Sequence, residues 1–250
     1  MQRCFQPSQD HGKVFCCDFS SEGNFLASGG DDKVLVWDTV RARSQSSVDD
    51  HSHTITDIRF RPESVHLATS SFDRTVETGP SSCLTSFTGH KHPVTSVDFH
   101  PSIRDLICSC DNEGETRLWS AGNGSCVRVS EGATARVRFH PGGGQLLATA
   151  SEASVFLFDV ETSKQISTLK SITCNPVERL SWDAAEEYVA STCQDAVRVW
   201  SVASGACPFF SLINLRGEQL PLALALALAR DGKLQHGIRV NYVCLFHPQC

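Results

Sequence analysis

No apolar run in this chain is long enough to cross a bilayer as a helix: the longest, PLALALALA at residues 221–229, is about half of the roughly 20 residues that a span requires. Residues 1–13 are polar and carry no apolar stretch of the kind that directs secretion. Without an oxidising compartment, the 12 cysteines read as reduced thiols in a nuclear or cytosolic setting. Positive charge is scarce as well. Lys and Arg number 22 against 28 Asp and Glu, a net charge of −6, so the clustered cations that a sequence-independent grip on DNA or RNA needs are lacking. No CxxC pair marks a zinc site, no GKS or GKT follows the glycines at 142–144, and no GxSxG elbow or stand-alone carboxylate pair marks a hydrolase. No cofactor, metal or catalytic residue is expected. The thiols then read as small buried strand residues, the glycines as hairpin turns, and the NGS at 123–125 as a polar turn.

What the chain does have is hydrophobic residues at 40%, enough for a substantial core, and an internal repeat. An alternating strand ending in an aromatic recurs at Phe19, Phe60, Phe99, Phe139 and Trp182, at intervals of 41, 39, 40 and 43 residues. Three of these aromatics have Pro two positions on, at Pro62, Pro101 and Pro141, where the missing N–H stops a strand. A small-residue strand follows each: FLASGG at 25–30, HLATSS at 66–71, LICSC at 106–110, LLATAS at 146–151 and YVAST at 188–192. In four repeats a third strand reads VLVWD (34–38), TRLWS (116–120), VFLFD (155–159) or VRVWS (197–201). Short strands and polar turns in a unit of about 40 residues predict the four-stranded blade of an all-β propeller.

The TGH at 88–90 and the WD at 37–38 carry the signatures of the WD repeat, which the chain resembles. In such a blade, a small second-strand residue, a turn acid, the histidine of GH and the third-strand tryptophan can form one hydrogen-bonded chain. The residues expected to serve this frame are Asp31 with Trp37, His90 with Ser109 and Trp119, and His51, Asp73, Asp195 and Trp200. Because His90 belongs to that frame, the His51/His53 and His90/His92 pairs are not read as metal sites. More specific stretches, KVFCCDFSSEG (13–23), LATSSFDRTV (67–76), SFTGH (86–90) and DLICSCDNEGE (105–115), resemble the LEUNIG group of plant transcriptional co-repressors. That resemblance implies a nuclear scaffold that binds transcription factors, adaptors and repressive machinery such as histone deacetylases. It implies no direct reading of nucleic acid.

The spacing predicts a partial outer strand or linker at 1–13 and blades over 14–205, with repeats starting near 14, 55, 94, 134 and 177. An atypical low-complexity insertion is expected at 206–240, and the start of a sixth repeat at 241–250. About five blades plus a fragment make an incomplete ring. The second repeat reads ETGPSSC at 77–83 where a tryptophan is due, and Gly79 and Pro80 predict a frayed or remodelled blade. Partner contact is expected from residues beside the turn acids: Gly30, Phe72 and Arg74, with Phe72 as an aromatic anchor beside a cation. A WD-repeat substrate receptor, as in a ubiquitin ligase, is the alternative reading, and a propeller hydrolase the weaker one.

Overall fold

The computed structural model describes residues 13–31, 33–41, 43–48, 51–80, 85–132, 135–170, 176–183, 186–193, 196–207 and 209–212. Their architecture is all-β, five four-stranded antiparallel propeller blades, each made of strands consecutive in the chain. Blade one is β1 (Cys16–Phe19), β2 (Phe25–Gly29), β3 (Val34–Asp38) and β4 (Arg43–Val48). Blade two is β5 (Ile55–Phe60), β6 (His66–Ser71), β7 (Val76–Pro80) and β8 (Thr85–Phe87). Blade three is β9 (Val94–Phe99), β10 (Leu106–Asp111), β11 (Glu115–Ser120) and β12 (Cys126–Glu131). Blade four is β13 (Arg136–Phe139), β14 (Leu146–Ser151), β15 (Ser154–Asp159) and β16 (Gln165–Lys170). Blade five is β17 (Arg179–Trp182), β18 (Tyr188–Thr192), β19 (Ala196–Ser201) and β20 (Phe209–Leu212). The chain divides into two compact units, broadly blades one to three and blades four and five.

The small-residue strands have a physical reason. β6 and β10 are buried at every position after the first, so both faces are covered and only slender side chains leave room for the neighbouring blade. Gly29 at the end of β2 is the extreme case: a Cβ there would lie 2.8 Å from Ile55 Cγ2 and Ile58 Cδ1 and 2.9 Å from Cys16 Sγ. Within each unit the core accordingly lies between successive blades. Ala27, Val34 and Val36 of blade one meet Ile55, Ile58, Phe60 and Leu67 of blade two. Ala68, Val76 and Phe87 of blade two meet Val94, Val97, Phe99, Ile107 and Trp119 of blade three. In the second unit, Ala148, Val155 and Leu157 meet Leu180, Val189 and Trp200.

Carboxylates tie one blade to the next. Asp18 Oδ2 accepts the Phe60 N–H at 2.8 Å. Asp57 Oδ2 accepts the Ser96 hydroxyl at 2.8 Å and the Val97 N–H at 3.3 Å. The Thr56 hydroxyl donates to the Val94 carbonyl at 2.7 Å. Arg59 lies 3.5 Å from Asp18 and 3.7 Å from Asp57. Burial works against its charge, but Asp57, Asp18 and Asp98 outweigh it and hold the guanidinium above its ordinary pKa. In the second unit, Arg136 Nε donates to the Glu178 carbonyl at 2.6 Å and Trp182 Nε1 to the Arg138 carbonyl at 3.1 Å.

The second blade is remodelled at its tryptophan position rather than frayed, and the expected insertion is corrected. Blade two is not frayed: β7 runs through Gly79 to Pro80, pairs with β6 from Ser70↔Val76 to His66↔Pro80, and pairs with β8 on its other side. Pro80 is tolerated because it is the last residue of its strand, where a missing N–H interrupts no further ladder. The stretch 206–240 does not begin as an insertion, since β20 lies inside it and pairs with β19 from Ala196↔Leu212 to Val199↔Phe209. Residues 1–12 and 213–250, with the expected sixth repeat, lie outside the described residues.

Candidate protein-interaction face

The loops that could face a partner are set by hydrogen-bonded frames beneath them, and strand register shows which residues correspond. Ile107↔Trp119 in blade three matches Leu67↔Gly79 in blade two, Leu26↔Trp37 in blade one, Leu147↔Phe158 in blade four and Val189↔Trp200 in blade five. Gly79 therefore occupies the place of an indole, and Phe158 replaces one.

In blade three the frame is complete. Trp119 Nε1 donates to Ser109 Oγ at 2.8 Å, and Ser109 Oγ lies 2.7 Å from His90 Nε2. His90 Nδ1 lies 3.2 Å from Asp111 Oδ2. One proton assignment satisfies every atom: the hydroxyl donates to Nε2 and the Nδ1–H donates to the carboxylate. Burial holds the His90 pKa below its ordinary value, against the opposing pull of Asp111, so the imidazole is neutral near pH 7. Glu115 Oε1 also approaches Nδ1, at 3.3 Å, and accepts from Arg117 Nε. His90, Asp111 and Glu115 bring ligand atoms within 4.8 Å of one another. The Arg117 cation already neutralises Glu115, and the imidazole is engaged at both nitrogens, so the cluster serves as a frame.

Blade two keeps the same frame without its indole. His51 Nδ1 lies 2.9 Å from Asp73 Oδ2, and Nε2 lies 2.8 Å from Thr69 Oγ1 and 3.6 Å from Glu77 Oε2. Glu77 stands opposite Thr69 in the register where Arg117 stands opposite Ser109. Asp73 also accepts the Ser52 N–H at 3.0 Å, the Thr75 N–H at 2.9 Å and the Thr75 hydroxyl at 2.6 Å. Burial acts to raise its pKa, and the Thr75 and His51 contacts overcome that and hold it below the ordinary value. Trp37 Nε1 donates to Ser28 Oγ and Trp200 Nε1 to Ser191 Oγ, both at 3.0 Å. Asp31 is exposed at the bend beyond β2, and the indole of its expected partner Trp37 is engaged with Ser28. In blade four Thr149 Oγ1 is buried without a hydrogen-bond partner among the described residues. Asp195 lies outside the described residues.

Sequence reasoning missed Asp111. The turn acid of blade two is Asp73, two residues past the end of β6, and the corresponding place in blade three holds Glu113; His90 meets instead Asp111, the last residue of β10, with Glu115 of β11 beside it. The acid following CSC at 108–110 was the available signal. Gly30 is corrected as a partner contact: it is buried, its N–H donates to the Lys33 carbonyl at 3.1 Å, and its carbonyl accepts the Ile55 N–H at 2.9 Å.

The turn after β6 is bound to the loop that precedes its blade. Ser71 Oγ donates to the His53 carbonyl and the Phe72 N–H to the Thr54 carbonyl, both at 3.0 Å. The Asn112 N–H repeats this in blade three with the Pro93 carbonyl, at 3.0 Å. Phe72 is 46% exposed, and its ring has no aromatic or cationic partner among the described residues. His53, Arg74, Lys91 and His92 are exposed at the same end, whereas His51 and His90 are buried, so neither His-x-His pair presents both imidazoles to one ligand. Arg74 has φ 71°, a left-handed conformation that costs a residue with a Cβ roughly 1 kcal/mol. In blade three the corresponding residue is Gly114, with φ 94°.

Comparison with known proteins agrees with this geometry. Residues 2–38, 42–77 and 81–120 match the family described as WD domain, G-beta repeat. The chain is similar to the transcriptional corepressor LEUNIG_HOMOLOG of Arabidopsis thaliana, 45% identical over 201 residues, covering 78% of this chain and 25% of that protein. It is 24% identical over 202 residues to pre-mRNA-processing factor 19 of Oryza sativa subsp. japonica, covering 76% of this chain and 38% of that one. It is 27% identical over 155 residues to nuclear distribution protein PAC1 of Arthroderma otae, covering 55% and 34%. The chain thus spans between a quarter and two fifths of the length of these relatives. Among the described residues, no helix is long and apolar enough to cross a membrane.

Proposed function

Since the chain belongs to the WD40-repeat propellers and is closely related to the LEUNIG-type plant transcriptional corepressors, we propose that it is a nuclear, non-enzymatic scaffold that holds other proteins in a corepressor assembly. The observation that carries this reading is the exposed Phe72 beside Arg74, held up by the His51–Asp73 frame beneath it. A large aromatic next to a cation on a rigid turn is the kind of residue that dominates protein interfaces. The side chains with strong chemistry, His51, Asp73, His90 and Asp111, face inward and are saturated by one another, which suits support of a surface rather than turnover of a substrate. The net charge of −6 supports recruitment to DNA through adaptors rather than by direct contact.

The test is a reporter assay in which the whole chain is fused to a heterologous DNA-binding domain. Repression of the reporter is expected, with repression weakened by Phe72→Ala. A tethered, expressed chain that leaves the reporter unchanged would overturn the reading.

A further inference from the structure

We propose that the loops at residues 52–54, 72–74 and 91–93 together bind an acidic peptide segment that carries an apolar side chain among its carboxylates. This rests on the scaffold reading above and gives that scaffold a partner chemistry.

The charge of these loops runs against that of the chain. The chain as a whole is acidic, yet the exposed side chains of these three loops include Arg74, Lys91, His53 and His92. Neither the Arg74 guanidinium nor the Lys91 ammonium has an ion-pair partner among the described residues. The carboxylate within the loops, Asp73, is turned inward onto His51, Ser52 and Thr75, so it does not cancel them at the surface. Exposed carboxylates return on either side, at Asp31 in blade one and Glu113 in blade three. The cationic strip is therefore short. It fits a few acidic residues, and its acidic margins oppose the long phosphate backbone of a nucleic acid.

The three loops are also fastened to one another. Thr56 and Val94 join the first strands of blades two and three through a 2.7 Å hydrogen bond, which sets the loops before β5 and β9 side by side. The Phe72 turn is fixed to the first of those loops through the Thr54 and His53 carbonyls. Among the described residues, an aromatic without a ring partner thus stands beside cations without an ion pair, on a pre-organised frame. The turn itself is strained: where blade three relieves the left-handed position with Gly114, blade two keeps a cation there, at Arg74.

The test uses the full chain and fluorescein-labelled peptides in anisotropy titrations: one of Asp and Glu with a central Leu, one with Asn and Gln replacing the acids, one with Ala replacing Leu, and one in which phosphoserine replaces the acids. The acidic Leu peptide is expected to bind, to weaken at least tenfold in Arg74→Glu/Lys91→Glu and in Phe72→Ser, and to weaken as salt rises. Arg74→Gly removes the cation and suits the positive φ. It is expected to lose affinity while its Tm holds or rises, which separates a lost contact from a damaged fold. Equal binding of the neutral peptide, binding of the phosphorylated peptide alone, or indifference to the charge reversals would overturn the proposal. If the tethered chain still represses while the acidic peptide does not bind, this inference fails and the scaffold reading stands. Peptide binding without repression separates them the other way.

Discussion

In blade three an indole, a hydroxyl, an imidazole and a carboxylate make an unbroken donor chain, whereas in blade two the chain begins at Thr69 because Gly79 stands where the indole would be. Both blades nevertheless form four strands in matching register and fasten their turns to the preceding loop in the same way. The histidine and its acid are therefore enough to hold the turn, and the tryptophan acts chiefly by filling the space between blades. Blade four extends the series: with Phe158 at the indole position and no histidine anywhere between His100 and His140, the Thr149 hydroxyl keeps its place in the frame and has no hydrogen-bond partner among the described residues.

The comparison can be broken hardest at Trp119. Trp119→Ala empties a fully buried site against Phe87 and removes the donor to Ser109, and urea unfolding is expected to show a loss of about 3–5 kcal/mol. Blade two has already lost its indole, so its weight falls on Thr69. Thr69→Val leaves His51 Nε2 buried without its hydroxyl and is expected to destabilise by about 2 kcal/mol. The same substitution in blade four has the opposite sign, because Thr149→Val replaces an orphaned hydroxyl by a methyl group, for a gain of about 1 kcal/mol. Equal effects at the two threonines would refute the idea that the frame has decayed in blade four.

Acid sharpens the comparison more gently. His90 is held neutral in the fold, so the unfolded chain takes up a proton first. Its contribution is complete above the ordinary value of 6.5 and falls as the pH drops through it. Asp73 is held ionised, so its contribution is complete above 3.8 and is lost below that. Melting curves are expected to show a shallow decline from pH 7 to 5, reduced in His90→Gln, and a second decline below pH 4, reduced in Asp73→Asn. A Tm independent of pH between 7 and 5 would count against the neutral imidazole.

The repeat, the strand order and the His90–Ser109–Trp119 line were legible because each leaves a periodic mark: an aromatic every 40 residues or so, a GH, a tryptophan two strands on. Asp111 left none. A carboxylate at a strand end and one in the following turn are alike in sequence, and which of them reaches the imidazole depends on the path of the backbone. Gly30 was misread for a related reason. It adjoins a turn acid, but the pairing of its carbonyl with Ile55 draws it inward. Pro80 suggested a broken strand, although the rule against proline concerns a ladder's interior and Pro80 ends one. That Arg74 and Lys91 have no ion-pair partner among the described residues had no signature at all, and neither had the inward turn of the neighbouring Asp73 onto His51, Ser52 and Thr75.

The carboxylate ties between blades have a consequence for how such a chain can be rearranged. Asp18 serves the backbone of blade two, and Asp57 serves that of blade three two residues earlier along its first strand, so each tie points forward and is cut to its own neighbour. A duplicated or transplanted blade would arrive with its acid aimed at the wrong amide. Shuffling by whole repeats, which the even period invites, is therefore constrained by an order written into the seams, and a permuted chain should recover its stability only when the acid moves along with the seam it closes.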